Sequence, residues 1–434
     1  MKLVVIGTGY VGLVSGACFS EFGFDVTCID KDADKIARIE DGAMPIYEPG
    51  LEDIVDRNVS AGRLRFSVDM GPAVRDADAV FIAVGTPTRR GDGHADLSFV
   101  FAAAEELASF LTGYTVVVTK STVPVGTGRE VEKIIRSANP ACDFDVASNP
   151  EFLREGAAIS DFMRPDRVVV GVESDRARAV LRQLYRPLYI IETPILITSR
   201  ETSELIKYAS NAFLAVKITY INQMADLCEH VGANVHDVAR GMGLDKRIGS
   251  KFLHPGPGYG GSCFPKDTLA LVRTGQDHAC DISIVDQVVS YNTERKASMA
   301  GRVEGAAGGS VYGKTIAVLG LAFKPETDDM RDSPSLNIIP ALLAAGANIR
   351  AYDPKAMDEA RHFLPAGTVF QNSALDCLKG ADVAVVVTEW NEFRALTPRL
   401  FLDKMAGNTL VDLRNIYDPA VMRDAGLEYT SIGR

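Results

Sequence analysis

Apolar positions fall along this chain in two alternating rhythms. Short runs of three to six aliphatic residues, the pattern of strands buried on both faces, occur at Leu3–Ile6, Asp25–Asp30, Val80–Val84, Thr115–Thr119, Asp145–Ser148, Arg167–Val172 and Ile195–Thr198. Between most of them lie stretches with helical spacing, beginning with Leu13–Phe22. Strands alternating with helices predict a parallel sheet covered on both faces.

From Glu201 to His230 the rhythm changes. The stretch has no proline or glycine, and Leu205, Tyr208, Ala212, Val216, Met224 and Leu227 recur at helical spacing. Ser199 is placed to cap its start and Gly232 its end. Such a helix is about 45 Å long at 1.5 Å per residue, which suits a connector between domains or a subunit interface. A glycine-rich surface linker is expected at Gly305–Gly313, followed by a second α/β unit with a strand at Thr315–Leu319, a helix at Leu336–Ala345 and a strand at Asn348–Asp353.

The two ends echo one another. ADAVFIAVGTP at Ala77 resembles ADVAVVVTEWN at Ala381, DVTCIDKDADK at Asp25 resembles NIRAYDPKAMD at Asn348, and GYTVVVTKST at Gly113 loosely resembles GNTLVDLRNI at Gly407. The expected fold class is therefore α/β, two Rossmann-like doubly wound parallel-sheet domains joined by a long central helix and a helical middle. The expected boundaries are 1–200, 201–304 and 305–434.

Composition narrows the class. A length of 434 residues exceeds one ordinary core, and 47% hydrophobic with 24% charged residues is the balance of a soluble globular protein. A net charge of −11 argues against a broad nucleic-acid-binding face. The cysteines are 7 in number and scattered, with no C-x-x-C pair, as expected of reduced thiols in the cytoplasm. No apolar run approaches the length of a membrane span. Lys2 followed by Leu3–Phe19 could pass for a signal peptide, but its glycines stand at meaningful positions and no clear cleavage region follows. The histidines form no metal motif such as H-E-x-x-H, so no metal is expected.

Gly7-Thr8-Gly9-Tyr10-Val11-Gly12 follows a strand and opens a helix. Gly7 permits the tight turn, Gly9 lets backbone approach a pyrophosphate, and Gly12 lets helix pack on strand. Asp30, ending the next strand, can accept hydrogen bonds from ribose hydroxyls and repel a 2′-phosphate, which favours NAD; Lys31 and Lys35 lie close enough to soften that preference. The first turn of the C-terminal unit, Gly320-Leu321-Ala322-Phe323-Lys324, lacks the fingerprint. Lys324 could instead meet a phosphate by charge.

The loop from Phe252 to Asp267, FLHPGPGYGGSCFPKD, has 4 glycines and 3 prolines. It is built as neither helix nor strand, and it presents one thiol, Cys263. A nucleophilic cysteine needs its thiolate, favoured by positive charge or a helix N-terminus. Lys266 and a helix starting near Pro265 would supply both. Lys207 and Asn211, four apart, share a helix face and could stabilise an oxyanion. Asn149 and Pro150 read as an N-cap and first helical position, which would put Glu151 and Glu155 in the first helical turns.

Taken together, GTGYVG, KSTVPVGT, SNPEFLREG, KYASN, GGSCFPKD and AFKPETDDMRDSP resemble the UDP-glucose dehydrogenase branch of the nucleotide-sugar 6-dehydrogenase family, over nearly the whole chain. That resemblance implies two successive NAD-dependent oxidations of a sugar's primary alcohol to a carboxylate, through a thiohemiacetal and a thioester on Cys263. It implies that Lys207 and Asn211 hold the reacting oxygen, that Asp267 and Thr122 position a water, and that Glu151 assists thioester hydrolysis. Glu155, Lys266 and Arg331 match cofactor contacts, with Gly7, Gly9, Tyr10, Val11, Gly12, Asp30, Lys35, Thr86, Ser121 and Thr122. Phe252, Leu253, His254, Pro255, Gly256, Gly260, Phe323 and Lys324 match nucleotide-sugar contacts.

The stretch Glu151–Glu155, with Phe152, Leu153 and Arg154, is placed at the substrate as well, although Arg154 taken alone reads as exposed charge. Arg247 matches an arginine given by a neighbouring subunit, so a homodimer or higher oligomer is expected. UDP-glucose is the expected substrate. The alternatives are the same chemistry on GDP-mannose or a UDP-N-acetylhexosamine, and a nucleotide-sugar sensor without turnover.

Overall fold

The computed structural model describes residues 1–89 and 92–434. The chain packs as two compact units, one comprising residues 1–210 and 273–279, the other 211–272 and 280–434.

The first unit holds an eight-stranded sheet of β1 (Lys2–Ile6), β2 (Asp25–Ile29), β3 (Leu64–Ser67), β4 (Ala79–Ile82), β5 (Thr115–Thr119), β6 (Phe144–Ser148), β7 (Val168–Gly171) and β8 (Ile195–Thr198), in the order β3-β2-β1-β4-β5-β6-β7-β8. All neighbours run parallel except β6 and β7, which meet antiparallel at Ser148 and Gly171. The expected uninterrupted parallel sheet is thus broken at one junction. Successive residues of each strand feed opposite faces: Leu3 and Val5 pack with Phe19, Phe81 and Val118, while Val4 and Ile6 pack with Val80, Ile82 and Leu107. That two-sided burial is why these strands read as continuous apolar runs.

The second unit carries a six-stranded, wholly parallel sheet of β9 (Thr315–Leu319), β10 (Asn348–Tyr352), β11 (Thr368–Phe370), β12 (Val383–Val386), β13 (Thr409–Asp412) and β14 (Glu428–Ser431), in the order β11-β10-β9-β12-β13-β14. This order matches the first six positions of the other sheet. Here too Ile316 and Val318 join one core, Ala317 and Leu319 the other.

The internal echo extends to single hydrogen bonds. The Gly7 N–H donates to Ile29 O at 2.7 Å and the Gly320 N–H to Tyr352 O at 2.8 Å. The Thr8 N–H donates to the Asp30 carboxylate at 2.9 Å, as the Leu321 N–H does to Asp353 at 2.7 Å. The Lys2 and Thr315 N–H groups, at the strand starts, each donate to a carboxylate at 2.8 Å, those of Asp78 and Asp382.

The long helix spans Arg200–Val231, one residue beyond the expected stretch at each end. Ser199 Oγ accepts the Thr202 N–H at 3.2 Å, and Gly232 ends the helix at φ +72°. Its buried face takes in only part of that apolar spacing. Tyr208, Ala212, Ala215, Ile221, Ala225 and Cys228 are buried, whereas Leu205 and Leu227 are about half exposed. The helix has two apolar stripes, and spacing alone does not say which of them faces the core.

The glycine-rich segment from Gly305 to Gly313 lies at the surface, as expected, with Gly305, Gly308, Gly309 and Gly313 exposed. It follows a helix over Ser283–Ala306, and Ala307 and Val311 anchor it to the core under β9 and β10. Its glycines serve its turns: Gly308, Gly309 and Gly313 all have positive φ.

Candidate active site

The dinucleotide half of the site lies in the first unit. Gly7 takes φ +100°, and a Cβ there would come within 2.7 Å of Ala83 O. At Gly12 a Cβ would stand 1.8 Å from Gly7 O, so only glycine lets the helix Tyr10–Glu21 start this close to β1. Gly9, by contrast, faces open space, as a backbone must that is approached by a pyrophosphate. The helix begins at Tyr10 with its first N–H groups directed at that space and no acidic side chain in its first turn.

Asp30 sits where the fingerprint requires. Its Oδ2 accepts from the Thr8 N–H at 2.9 Å, the Thr8 hydroxyl at 2.7 Å and Lys35 Nζ at 2.9 Å, leaving Oδ1 with the Asp32 N–H at 3.2 Å. Burial raises its pKa, but these donors outweigh burial and lower it to about 2. Asp30 is therefore an anion throughout the physiological range. Lys35 is engaged by that carboxylate and Lys31 by Glu106 at 2.7 Å. These residues fit a bound NAD.

Further along the strand tips, the Thr86 hydroxyl donates to Thr122 O at 2.9 Å, and the Ser121 hydroxyl to Val84 O at 2.7 Å. Together they pin the β4 and β5 loops to each other. Val11 packs on the core below, and the Tyr10 hydroxyl donates to Glu48. Glu48 in turn accepts the Gly156 and Ala158 N–H groups, both at 2.7 Å, tying the fingerprint helix to the loop that carries Glu155.

That loop corrects an expectation. Residues 149–157 are not helical; the helix starts at Ala158. Asn149 does not cap it: its amide donates to Val169 O at 2.7 Å and accepts from Lys120 and Tyr185. Glu151 is thereby sunk into the unit, 5% exposed, accepting Lys207 Nζ at 2.9 Å and the Leu153 N–H at 2.5 Å. Burial raises its pKa, yet the charge and hydrogen bond of Lys207, the Leu153 N–H and the charge of Lys120 bring it below the usual carboxylate value. The Phe152 ring lies between Arg167, 3.5 Å from its centroid, and Lys207, 5.3 Å away. Arg154 is exposed and doubly bonded to Asp161, the solvated reading of that residue. Thr122 and Lys207 line a cavity of about 10 Å³, room for one water centre, with Ser121, Val123, Ser148, Pro150 and Glu204.

The candidate nucleophile lies in the second unit. Cys263 immediately precedes the helix Phe264–Asp277, and its carbonyl accepts the Asp267 N–H at 2.8 Å. The thiol, half-buried and 3.5 Å from Ser262 Oγ, thus stands at the positive end of a helix, where a thiolate is favoured. Lys266 does less for it than expected, because its ammonium is turned 2.7 Å from Asp267 Oδ1. The other oxygen of Asp267 accepts Asn211 Nδ2 at 2.6 Å, and the side chain is 1% exposed. Cys263, Asp267 and Asn211 therefore form one connected set.

The glycine-rich loop before the thiol is held by side chains that spacing did not reveal. Asn222 Oδ1 accepts the Gly256 N–H at 2.9 Å, Arg295 Nε donates to Gly256 O at 2.7 Å, and Asn292 pairs with both the N–H and C=O of Tyr259 at 2.8 and 3.0 Å. The Gly261 N–H donates to Arg331 O at 2.8 Å, and a Cβ at Gly260 would strike Asp332 O at 2.3 Å. The Phe323 ring fills the space beside Gly261. Phe252 is held at φ +65°, Leu253, Pro255 and Gly256 are buried, and His254 is exposed. Lys324 reaches over the Phe323 ring, while the guanidinium of Arg331 is exposed on Asp329. Arg247 is 89% exposed with its guanidinium on Asp245. Asn222 was findable: it lies three helical turns after Asn211, on the same face of the helix.

In the second unit Asp353 fills the place of Asp30, but its carboxylate is consumed by the Leu321, Ala322, Lys355 and Ala356 N–H groups and Trp390 Nε1. Both oxygens of Asp353 are thus taken up by donors of its own unit.

Models of three consecutive domains match the chain: the UDP-glucose/GDP-mannose dehydrogenase family NAD binding domain over residues 1–189, its central domain over 201–294 and its UDP binding domain over 317–419. The chain belongs to the UDP-glucose/GDP-mannose dehydrogenase family. It is 59% identical to a UDP-glucose 6-dehydrogenase of Rhizobium meliloti, with all of both chains covered. It is 46% identical to one of Pseudomonas aeruginosa, over all of this chain and 98% of that one. Among solved structures, a UDP-glucose dehydrogenase from Pyrobaculum islandicum superposes with a TM-score of 0.91 at 38% identity, covering 98% of this chain and 96% of that one. As a member of this family the protein is an NAD-dependent dehydrogenase, its NAD binding domain matched over residues 1–189.

Proposed function

We propose that the protein oxidises C6 of UDP-glucose to the carboxylate in two steps, with Cys263 carrying the half-oxidised sugar. The observation that carries this reading is the position of Cys263: a half-buried thiol at a helix N-terminus, followed by the Lys266–Asp267 pair that reaches Asn211. Its relatives named as UDP-glucose 6-dehydrogenases support the choice of sugar.

Bound NAD supplies the hydride acceptor for both oxidations. In the first, the C6 hydroxyl gives its proton to a water held by Asp267 and Thr122. C6 gives up a hydride, and Lys207 and Asn211 stabilise the developing alkoxide. In the second, the Cys263 thiolate adds to the aldehyde carbon, forming a C–S bond and a thiohemiacetal oxygen. Loss of a hydride from C6 and a proton from that oxygen leaves a thioester. Water, activated by Glu151, then adds to the thioester carbonyl; the C–S bond breaks, the thiol is restored and the uronic acid departs. The net reaction consumes one alcohol, one water and two NAD, and yields one carboxylate, two NADH and three protons. A water-sized cavity beside Lys207 and Thr122 supports a held water, and the Lys207–Glu151 contact supports their joint role.

In this reading residues 1–200 hold NAD, 201–304 carry the connector helix and the catalytic loop, and 305–434 hold the nucleotide through Phe323 and Lys324. Residues Phe213, Tyr220 and Leu227 are 64%, 44% and 52% exposed at seven-residue spacing on the long helix, which supports a homo-oligomer built on that face with Arg247 given across it. Seven free cysteines support a cytoplasmic location.

Stoichiometry tests the proposal: two NADH formed per UDP-glucose consumed, with uronic acid as sole sugar product. One NADH per sugar with free aldehyde accumulating would refute it.

A further inference from the structure

Lys120 is a buried ammonium that the proposed chemistry leaves without a task. It is 4% exposed, at the tip of β5. Its Nζ donates to Asn149 Oδ1 at 3.0 Å and to the Tyr185 hydroxyl at 3.4 Å, and lies 5.8 Å from the Phe162 ring centroid. These partners are an amide, a phenol and a hydrocarbon ring. Burial raises the Tyr185 pKa further above its ordinary value, so the phenol stays neutral. Among the described residues no carboxylate is in ion-pair contact with Lys120. The charges that act on it are Glu151 and Lys207, already paired with each other at 2.9 Å. The buried cluster thus holds two cations and one anion.

A buried lysine with neutral partners is an expensive way to fill space, since an apolar side chain of the same volume avoids the desolvation. The reason for a charge here lies in what Lys207 is asked to do. When its ammonium serves an alkoxide, Glu151 loses its partner. A lone carboxylate at that depth takes up a proton and ceases to be a base. Lys120 is the other cation in the cluster, and it is anchored: Asn149 is fixed to Val169 O, and Tyr185 also donates to Asn149.

We propose that Lys120 is a positioning residue for Glu151, whose fixed positive charge keeps the carboxylate ionised while Lys207 is engaged with the substrate oxygen. This rests on the assignment of Glu151 to thioester hydrolysis. The lowering of the Glu151 pKa by both lysines agrees with it.

The test is the pH dependence of thioester hydrolysis in single turnovers of UDP-glucose with excess NAD, quenched between pH 5 and 9 and read by intact mass. In Lys120→Gln the acid limb moves up by about one pH unit, so hydrolysis near pH 6 falls about tenfold while the rate near pH 9 stays within about twofold. Lys120→Arg, which keeps the charge, returns the limb toward its original place. Lys120→Met replaces the ammonium without leaving a polar group to satisfy, so it reports where Lys120→Gln fails to fold. An unshifted acid limb in whichever neutral variant folds overturns the inference. Glu151→Gln separates the two claims: hydrolysis at the unmodified rate in that variant removes the role of Glu151 itself. Slow hydrolysis there, with an unshifted limb in the neutral Lys120 variants, removes only that of Lys120.

Discussion

Lys207 Nζ lies 2.9 Å from Glu151 Oε1, with the two side chains only 3% and 4% exposed. Each group satisfies the other, and the proposed mechanism asks each for chemistry as well, one toward an oxyanion and the other toward a water. Truncating one partner leaves the other charged and buried. Lys207→Met is expected to destabilise the fold by the lower part of the about 3–5 kcal/mol range for a broken buried pair, because Lys120 still compensates Glu151. The double variant Lys207→Met/Glu151→Gln should recover most of that loss in urea denaturation. Additive losses would show that the pair is not coupled.

Lys120 also predicts how stability varies with pH. Burial, with a smaller contribution from Lys207, lowers its pKa to about 8 against the opposing pull of Glu151. Between about pH 8 and the unfolded value near 10.4, the unfolded chain binds the proton and the native one does not. Stability therefore rises with pH through that window, by on the order of 3 kcal/mol for this group. Comparing chemical denaturation of the parent and Lys120→Met at pH 7.5 and 9.5 should show this rise in the parent and its loss in the variant. Equal slopes would mean that Lys120 keeps its charge throughout.

The Asp30 carboxylate engages Lys35 Nζ at 2.9 Å. Asp30→Ser removes both the repulsion of a 2′-phosphate and the partner of Lys35. The kcat/KM ratio for NADP over NAD should rise about 10- to 100-fold, equivalent to about 1.4–2.7 kcal/mol. An unchanged ratio would place cofactor selection elsewhere.

The fingerprint glycines should separate by function. Gly12→Ala puts a methyl group 1.8 Å from Gly7 O, so the helix must shift, and a loss of about 1–3 kcal/mol is expected in thermal or chemical unfolding. Gly9→Ala meets nothing within 4 Å and should leave stability unchanged while weakening NAD binding, measured by calorimetry. Equal stability losses in both would contradict the division of roles.

Much of this fold was legible because strands buried on two faces need unbroken aliphatic runs. β3 was not, because it is an edge strand: Leu64 and Phe66 point inward while Arg65 faces solvent, and four alternating residues make a weak signal. The long helix was found from its length, but the identity of its buried face was not. Its core side is lined by small residues and by Ser203, Lys207, Asn211 and Asn222, whose polarity imitates a solvent face. The same reason hid Lys120, Asn292 and Arg295. Their value lies in partners distant in sequence, such as Asn292 on the backbone of Tyr259. Asn149 misled for a related reason: Asn-Pro before two glutamates looks like a helix start, yet Asn149 is recruited by Lys120 and Tyr185 and the helix is deferred to Ala158. Cys263 stood out because a loop dense in glycine and proline has no packing reason to carry a thiol at a helix entrance.

The central claim is a covalent sugar on that thiol. Acid-quenching the protein during turnover of UDP-glucose with NAD, followed by peptide mass analysis, measures it directly. The account predicts a uronyl adduct on the peptide containing Cys263, absent in Cys263→Ser, which also stops forming the carboxylate. An adduct on another side chain, or full carboxylate production by Cys263→Ser, would contradict it.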